Sequence, residues 1–194
     1  MKKVLAILLM TTSSLAFSAE PPKDPSRQTS WGLYLDSKEA HAMKTSAVGS
    51  KVLFVDVRDP VEIMFTGFTD VVDINIPFMI NNRQKWNPKK NVFAMEVNQQ
   101  FEPLIAEALK KQQLSKDDPI ILMCRSGGER GAPSAKALEN KGYKNVYVVV
   151  DGFEGDTVKT GDKKNFRLVN GWKNSNLPWG YELDKAKMYQ EKSN

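Results

Sequence analysis

From Trp31 onward the chain alternates short apolar runs with amphipathic stretches. Lys51-Val-Leu-Phe-Val-Asp-Val57, Val71-Val-Asp-Ile-Asn-Ile76, Pro119-Ile-Ile-Leu-Met123 and Val146-Tyr-Val-Val-Val150 are rich in β-branched and other apolar residues. They are short and bounded by turn residues, so each predicts a strand. Trp31-Gly-Leu-Tyr-Leu35 predicts a further, shorter one. Asp36 with Glu39 three residues on has the form of a capping box and opens a helix over about residues 37–44. Asp59-Pro60 starts a short helix that runs through Glu62 and Met64 and ends near Gly67. Phe101, Leu104, Ile105 and Leu109 share one face at helical spacing, which predicts a helix over about 98–112. A last helix follows residue 130, runs to Lys141 and is closed by Gly142. Residues 77–95 are polar and carry no assignable period. Strand and helix in alternation imply an α/β fold with a mainly parallel central sheet.

The two ends read differently. Lys2 and Lys3 precede the run Val4–Met10, and small residues follow as far as Ala19. A charged start, a short apolar run and a small-residue exit make residues 1–19 a signal peptide, cleaved after Ser18 or Ala19. The run is too short and interrupted for a spanning helix, so no membrane span is expected in the mature chain. A periplasmic or secreted protein is expected. Residues 20–30 are rich in Pro and polar residues and read as a linker. The tail 156–194 is polar but holds Trp172, Trp179 and Tyr181, aromatics that suit an extension packed back onto the domain.

Composition changes the picture in three places. With 194 residues, 41% of them hydrophobic and 26% charged, the chain has material for one packed core. The net charge of +5 becomes +3 once the leader, which carries two lysines and no acids, is removed. That mild excess is spread along the chain, which argues against nucleic-acid binding. The single cysteine, in a protein expected in an oxidising compartment, excludes an internal disulfide and any mechanism with a resolving cysteine in the same chain. No cofactor or metal is expected.

That cysteine, Cys124, sits where a buried strand gives way to a turn with two glycines and then a helix. In open α/β sheets, ligands bind at the carboxyl ends of strands. A glycine-containing turn lets successive backbone N–H groups face inward as an anion nest, a setting that favours the thiolate form. Arg125 and Arg130 add positive charge suited to oxyanions. Cys124 is therefore the candidate nucleophile, and Arg125, Ser126, Gly127, Gly128, Glu129 and Arg130 the candidate substrate-binding residues.

At these positions the chain resembles the rhodanese-like domain family. The resemblance rests on Val55-Asp-Val-Arg-Asp-Pro-Val-Glu62, Gly67, Ile74-Asn-Ile-Pro77, Cys124-Arg-Ser-Gly127, Gly142-Tyr-Lys-Asn-Val-Tyr147 and Asp151-Gly152, in order, over residues 31–155. It implies a central parallel sheet flanked by helices. It also implies a sulfurtransferase whose cysteine takes a sulfane sulfur from a small anionic donor such as thiosulfate. The resulting persulfide passes the sulfur to a thiophilic acceptor, small or protein. The segment Val169–Trp179 looks like the C-terminal extension of some exported bacterial members, and Asp56 and Arg58 are expected to brace the strand end beneath the loop.

Two departures keep alternatives open. Gly67-Phe68-Thr69 stands where the family often has Gly-His-Ile; the only histidine, His41, is read as a surface residue of the first helix. The loop is also one residue longer than in typical sulfurtransferases: Cys-x5-Arg is the spacing of cysteine phosphatases and of rhodanese-fold arsenate reductases. Glu129-Arg130-Gly131 resembles the loop of rhodanese-fold cell-cycle phosphatases, with Glu129 as a candidate acid. Against this, Met123 and Gly131 lack the side chains those enzymes carry there, and a reductase needs more thiols. A cysteine-dependent phosphatase or oxyanion binder, and a non-catalytic binding module, stand as the alternatives to sulfur transfer.

Overall fold

The structure, a computed structural model, describes residues 18–191. The expected leader therefore lies, apart from its last two residues, outside the described residues. In chain order the elements are β1 (Tyr34–Leu35), α1 (Ser37–Thr45), β2 (Leu53–Asp56), α2 (Pro60–Thr66), β3 (Ile74–Asn75), β4 (Met79–Asn87) and β5 (Val92–Val97). There follow α3 (Phe101–Lys111), β6 (Ile120–Met123), α4 (Gly131–Lys136) and β7 (Val146–Val149), with short 3-10 turns at Pro25–Arg27, Gly49–Lys51 and Trp172–Asn174.

Five strands form the central sheet in the order β1-β7-β6-β2-β3, and every pair is parallel. The fold is thus the α/β architecture that the alternation predicts. Its strands are mostly apolar because both faces are covered, as parallel sheets require, with Asp56 and Asn75 as buried polar exceptions at strand ends. Leu53, Val55, Ile120, Leu122, Val146 and Val148 pack under α3 and α4 with Phe101, Ile105 and Leu138. Phe54, Ile121, Met123 and Val149 face the other way, toward Ala40 and Met43 of α1, Ile63 of α2, and Trp172. Trp172 is fully buried 5.7 Å from the Phe54 ring, and its indole N–H donates to the Pro178 carbonyl. The tail thus supplies part of the second face of the core. His41, half-buried, meets Trp172 edge-on at the same ring separation.

Local chemistry sets the boundaries. Asp36 and Glu39 make both bonds of the capping box at α1, and Asp59 with Pro60 caps α2. Three elements differ from the sequence reading. The strand expected over 71–76 is reduced to Ile74–Asn75, because Val72 turns back on Thr69 and the Asp73 carboxylate takes the Phe54 N–H and Lys44. The helix expected to reach Lys141 stops at Lys136: Leu138, Glu139 and Lys141 make tight i→i−3 bonds, and Asn140 adopts a left-handed φ of 59°. Residues 79–97, unassigned from sequence, form an antiparallel hairpin outside the central sheet. It is largely exposed on both faces, so no alternation marks it, and Trp86 and Phe93 meet edge-on near its tip.

Candidate active site

β6 is the middle strand of the sheet, and Cys124 is its first residue beyond the ladder. The chain after β7 crosses directly behind it: Phe153 N–H donates to the Cys124 carbonyl (2.8 Å), and Glu154 N–H to that of Arg125 (2.8 Å). Two glycines permit this approach. Gly127 has φ 64°, and a Cβ there would collide with the Val150 carbonyl; Gly152 has φ 63°, and its Cβ would sit 2.5 Å from Ser126 N. Cys124 is only 2% exposed and lies at the floor of the loop, where a Cβ on Gly131 would be 3.7 Å from its Sγ.

The backbone N–H groups of residues 125–130 have no protein acceptor among the described residues. Six successive donors therefore line the turn that follows the thiol. Amides left free in this way are available to an anion, and they would count for more than the following helix, which is too short for much dipole.

The arginines are placed less simply. Arg130 is buried, and its guanidinium forks onto Glu62 of α2, Nη1 to Oε2 at 2.5 Å and Nη2 to Oε1 at 2.9 Å. Burial by itself would raise the Glu62 pKa. The Arg130 hydrogen bonds and charge, with the charges of Arg58 and Arg125, outweigh it and hold the carboxyl below the usual range. Arg130 in turn has its pKa raised: burial opposes the charge, but Glu62, Cys124 and Asp56 more than compensate. Arg125 is half-buried and donates from Nε to Glu154 at 2.5 Å, with Glu62 at 3.9 Å. Both loop arginines thus bring a carboxylate with them. Glu129 is exposed and meets Lys90, at the hairpin turn, at 2.5 Å. Ser126, half-buried, has no side-chain bond among the described residues.

Support lies beneath. Asp56 and Arg58 form a fully buried pair at the end of β2. Arg58 also donates to Thr66 Oγ1 and the Gly67 carbonyl, and lies 4.0 Å above the Phe153 ring. It ties the end of α2, and so Glu62, to the crossing segment. Asp151 accepts from Ser37 Oγ (2.8 Å) and from Gly171 N–H (3.0 Å), which joins α1, the crossing segment and the tail. Its pKa is raised, mainly by burial, with the Asp36 charge adding and the hydrogen bonds opposing.

The seven residues singled out from sequence are contiguous, so the fold keeps them together; it adds Glu62, Glu154, Lys90 and Arg27. Sequence reasoning does not single these out. Glu62 and Glu154 stand in or beside family-like motifs but with no role legible there. Lys90 lies in the unassigned stretch, and Arg27 in the linker.

A parallel α/β sheet with a cysteine loop at the carboxyl end of its middle strand defines a small class of domain. The model of the rhodanese-like domain matches residues 38–157, and the chain belongs to that family. It is 35% identical over 96 residues to protein RP600 of Rickettsia prowazekii, covering 49% of this chain and 67% of that one. It is 44% identical over 62 residues to RC0915 of Rickettsia conorii, which is 32% of this chain and 42% of that relative. The crystal structure of Rv0390 from M. tuberculosis superposes with a TM-score of 0.55 at 23% identity, over 79% of this chain and all of that one. The polysulfide-sulfur transferase homodimer of Wolinella succinogenes aligns at 22% identity with a TM-score of 0.41, over 62% and 69% of the two chains. Among the described residues no cluster of three or more His, Cys, Asp or Glu is arranged to hold a metal ion. No described helix is long and apolar enough to cross a membrane.

Proposed function

We propose that the protein is a sulfurtransferase that carries a sulfane sulfur as a persulfide on Cys124. The observation that carries this reading is the charge balance of the loop. The six amides that follow the buried sulfur have no protein acceptor among the described residues, while both arginines are paired with carboxylates. Such a cradle is rich in hydrogen-bond donors and close to neutral, which suits one anionic sulfur atom. A phosphoryl group carries more charge on three oxygens and calls for unpaired guanidinium groups. The phosphatase reading also needs a leaving-group acid, and Glu129, its candidate, is held against Lys90.

The chemistry balances with thiosulfate as donor. The Cys124 thiolate attacks the outer sulfur, a new S–S bond forms, and the S–S bond of thiosulfate breaks. Sulfite leaves with the electron pair, and the persulfide anion remains in the amide cradle. A thiophilic nucleophile then attacks the terminal sulfur and releases the thiolate. The reading includes export, with the leader removed after Ser18 or Ala19.

Mass spectrometry after exposure to thiosulfate tests it. Wild type gains one sulfur atom on Cys124, Cys124→Ser gains none, and neither hydrolyses a generic aryl phosphate. Aryl phosphate hydrolysis by wild type without persulfide would establish the phosphatase reading instead.

A further inference from the structure

With Arg125 and Arg130 each held by a carboxylate, the cradle has no free cation of its own for a dianionic donor. One lies just outside it. The turn Pro25–Arg27, which precedes the family-matched stretch, is set by Asp24, whose side chain accepts the Ser26 N–H (2.9 Å), and by Pro25 at its first position. It is seated on the domain at three points. Lys136 Nζ of α4 donates to the Ser26 carbonyl (3.2 Å), Ser30 N–H to Glu139 (3.2 Å), and Thr29 N–H to the Tyr34 hydroxyl (2.8 Å). This brings the Arg27 guanidinium over the outer face of the loop. A methyl group built on Gly128 would lie 3.6 Å from Arg27 Nη2, 3.7 Å from its Cζ and 3.8 Å from Ser126 Oγ. Two donors thus converge at Gly128, and neither side chain makes a hydrogen bond among the described residues. The carboxylate paired with Arg27, Asp24, stands 3.8 Å away, beyond hydrogen-bond reach, and the Arg27 side chain is 45% exposed.

We infer that Arg27 and Ser126 form an oxyanion subsite at the rim of the loop. It takes the sulfonate end of a dianionic sulfur donor while the outer sulfur of the donor reaches down to Cys124. The identity of the ligand as a sulfur donor rests on the sulfurtransferase reading; the anion site itself does not. Arg27 touches the end of the donor that departs as sulfite, so it governs affinity more than the rate of the bound state. It is a substrate-binding residue supplied from outside the family-matched stretch of the chain, and it selects donors by charge.

Sulfate, an unreactive dianion of similar shape, tests the subsite apart from the chemistry. Its binding to the full chain is followed by NMR through the Gly127 and Gly128 amides. Arg27→Gln raises the sulfate dissociation constant about five- to ten-fold, a reduced version of the effect of a buried charged hydrogen bond because the side chain is half exposed. Arg27→Lys recovers part of the loss, and Gly128→Ala, which fills the space between the two donors, reproduces it. In persulfide formation, Arg27→Gln raises half-saturation by thiosulfate by the same factor and changes the saturating rate less than about twofold. Equal sulfate affinity in wild type and Arg27→Gln overturns the subsite. Arg27-dependent sulfate binding in a protein that takes no sulfur from thiosulfate supports the subsite and refutes the sulfurtransferase reading. Sulfur loading with sulfate binding indifferent to Arg27 does the reverse.

Discussion

In the inner half of the active-site loop, Cys124 to Gly127, the backbone is clamped. Two of its carbonyls accept amides from the segment after β7, and Gly127 and Gly152 press against neighbouring main chain with no space for a side chain. In the outer half, Gly128 to Arg130, only Glu129 is exposed, but the main chain at Gly128 leaves room for a side chain. Gly128 meets only the ends of Arg27 and Ser126 at ordinary contact distance, and the Glu129 side chain is 75% exposed. Both halves belong to one turn, yet they do different work. The inner half fixes where the sulfur sits and offers almost no freedom. The outer half is bordered by side chains from remote parts of the chain: Arg27 from the N-terminal turn, Glu62 from α2 and Lys90 from the hairpin. Position is set by main-chain packing; under the proposed function, selectivity falls to long-range charge.

The sharpest way to break this comparison is to put the same substitution in each half. Gly127→Ala must give up a φ of 64° and displace the Val150 carbonyl. It is expected to cost about 3 kcal/mol of stability and to lower sulfur loading of Cys124 at least a hundred-fold. Gly128→Ala meets no close atom and should change stability by less than about 0.5 kcal/mol. Urea midpoints and persulfide yields of the two variants give the contrast directly. Similar losses from both would mean that the loop is uniformly rigid.

The next largest effect concerns the pair that joins the halves to α2. Glu62→Gln leaves Arg130 buried without its counter-charge, and should cost about 2 kcal/mol. The value stays below that of a fully buried pair because Glu62 keeps some solvent contact. The pH dependence follows from the lowered Glu62 pKa. A carboxyl whose folded pKa is depressed binds its proton more readily when unfolded, so its stabilisation is complete above the unfolded value of about 4.3. It fades as pH falls through the folded value. The stability gap between wild type and Glu62→Gln should therefore be widest near neutral pH and narrow below about pH 4. A gap that stayed constant to pH 3 would show that the pair contributes by shape, not charge.

Lys90→Ala should have the smallest effect. Both members of the Lys90–Glu129 pair are largely exposed, so the loss in stability should be under about 0.5 kcal/mol. If persulfide formation with thiosulfate changes more than about twofold while stability does not, the hairpin tip takes part in controlling access.

Much of the fold can be read along the chain. The apolar runs at 51–57, 119–123 and 146–150 become the three central strands, and Asp36 and Asp59 open the helices predicted for them. The hairpin 79–97 could not be read, since neither of its faces is buried and its strands have no hydrophobic period to display. The early end of α4 was hidden for another reason: Ala137, Leu138 and Glu139 are good helix formers, and only the tight turn toward Gly142, with Asn140 left-handed, stops the helix.

Of the site, the sequence by itself determined the thiol, its place after a buried strand and the glycines that let the backbone turn around it. Those features depend on neighbours a few residues apart, and local propensity encodes them. Only the tertiary structure decided how the charges are distributed: Arg130 on Glu62, 68 residues away, Arg125 on Glu154, Glu129 on Lys90, and the Arg27 guanidinium beside Gly128. Which of several like charges ends beside a given partner depends on how separate elements cross in space, and no spacing along the chain records that.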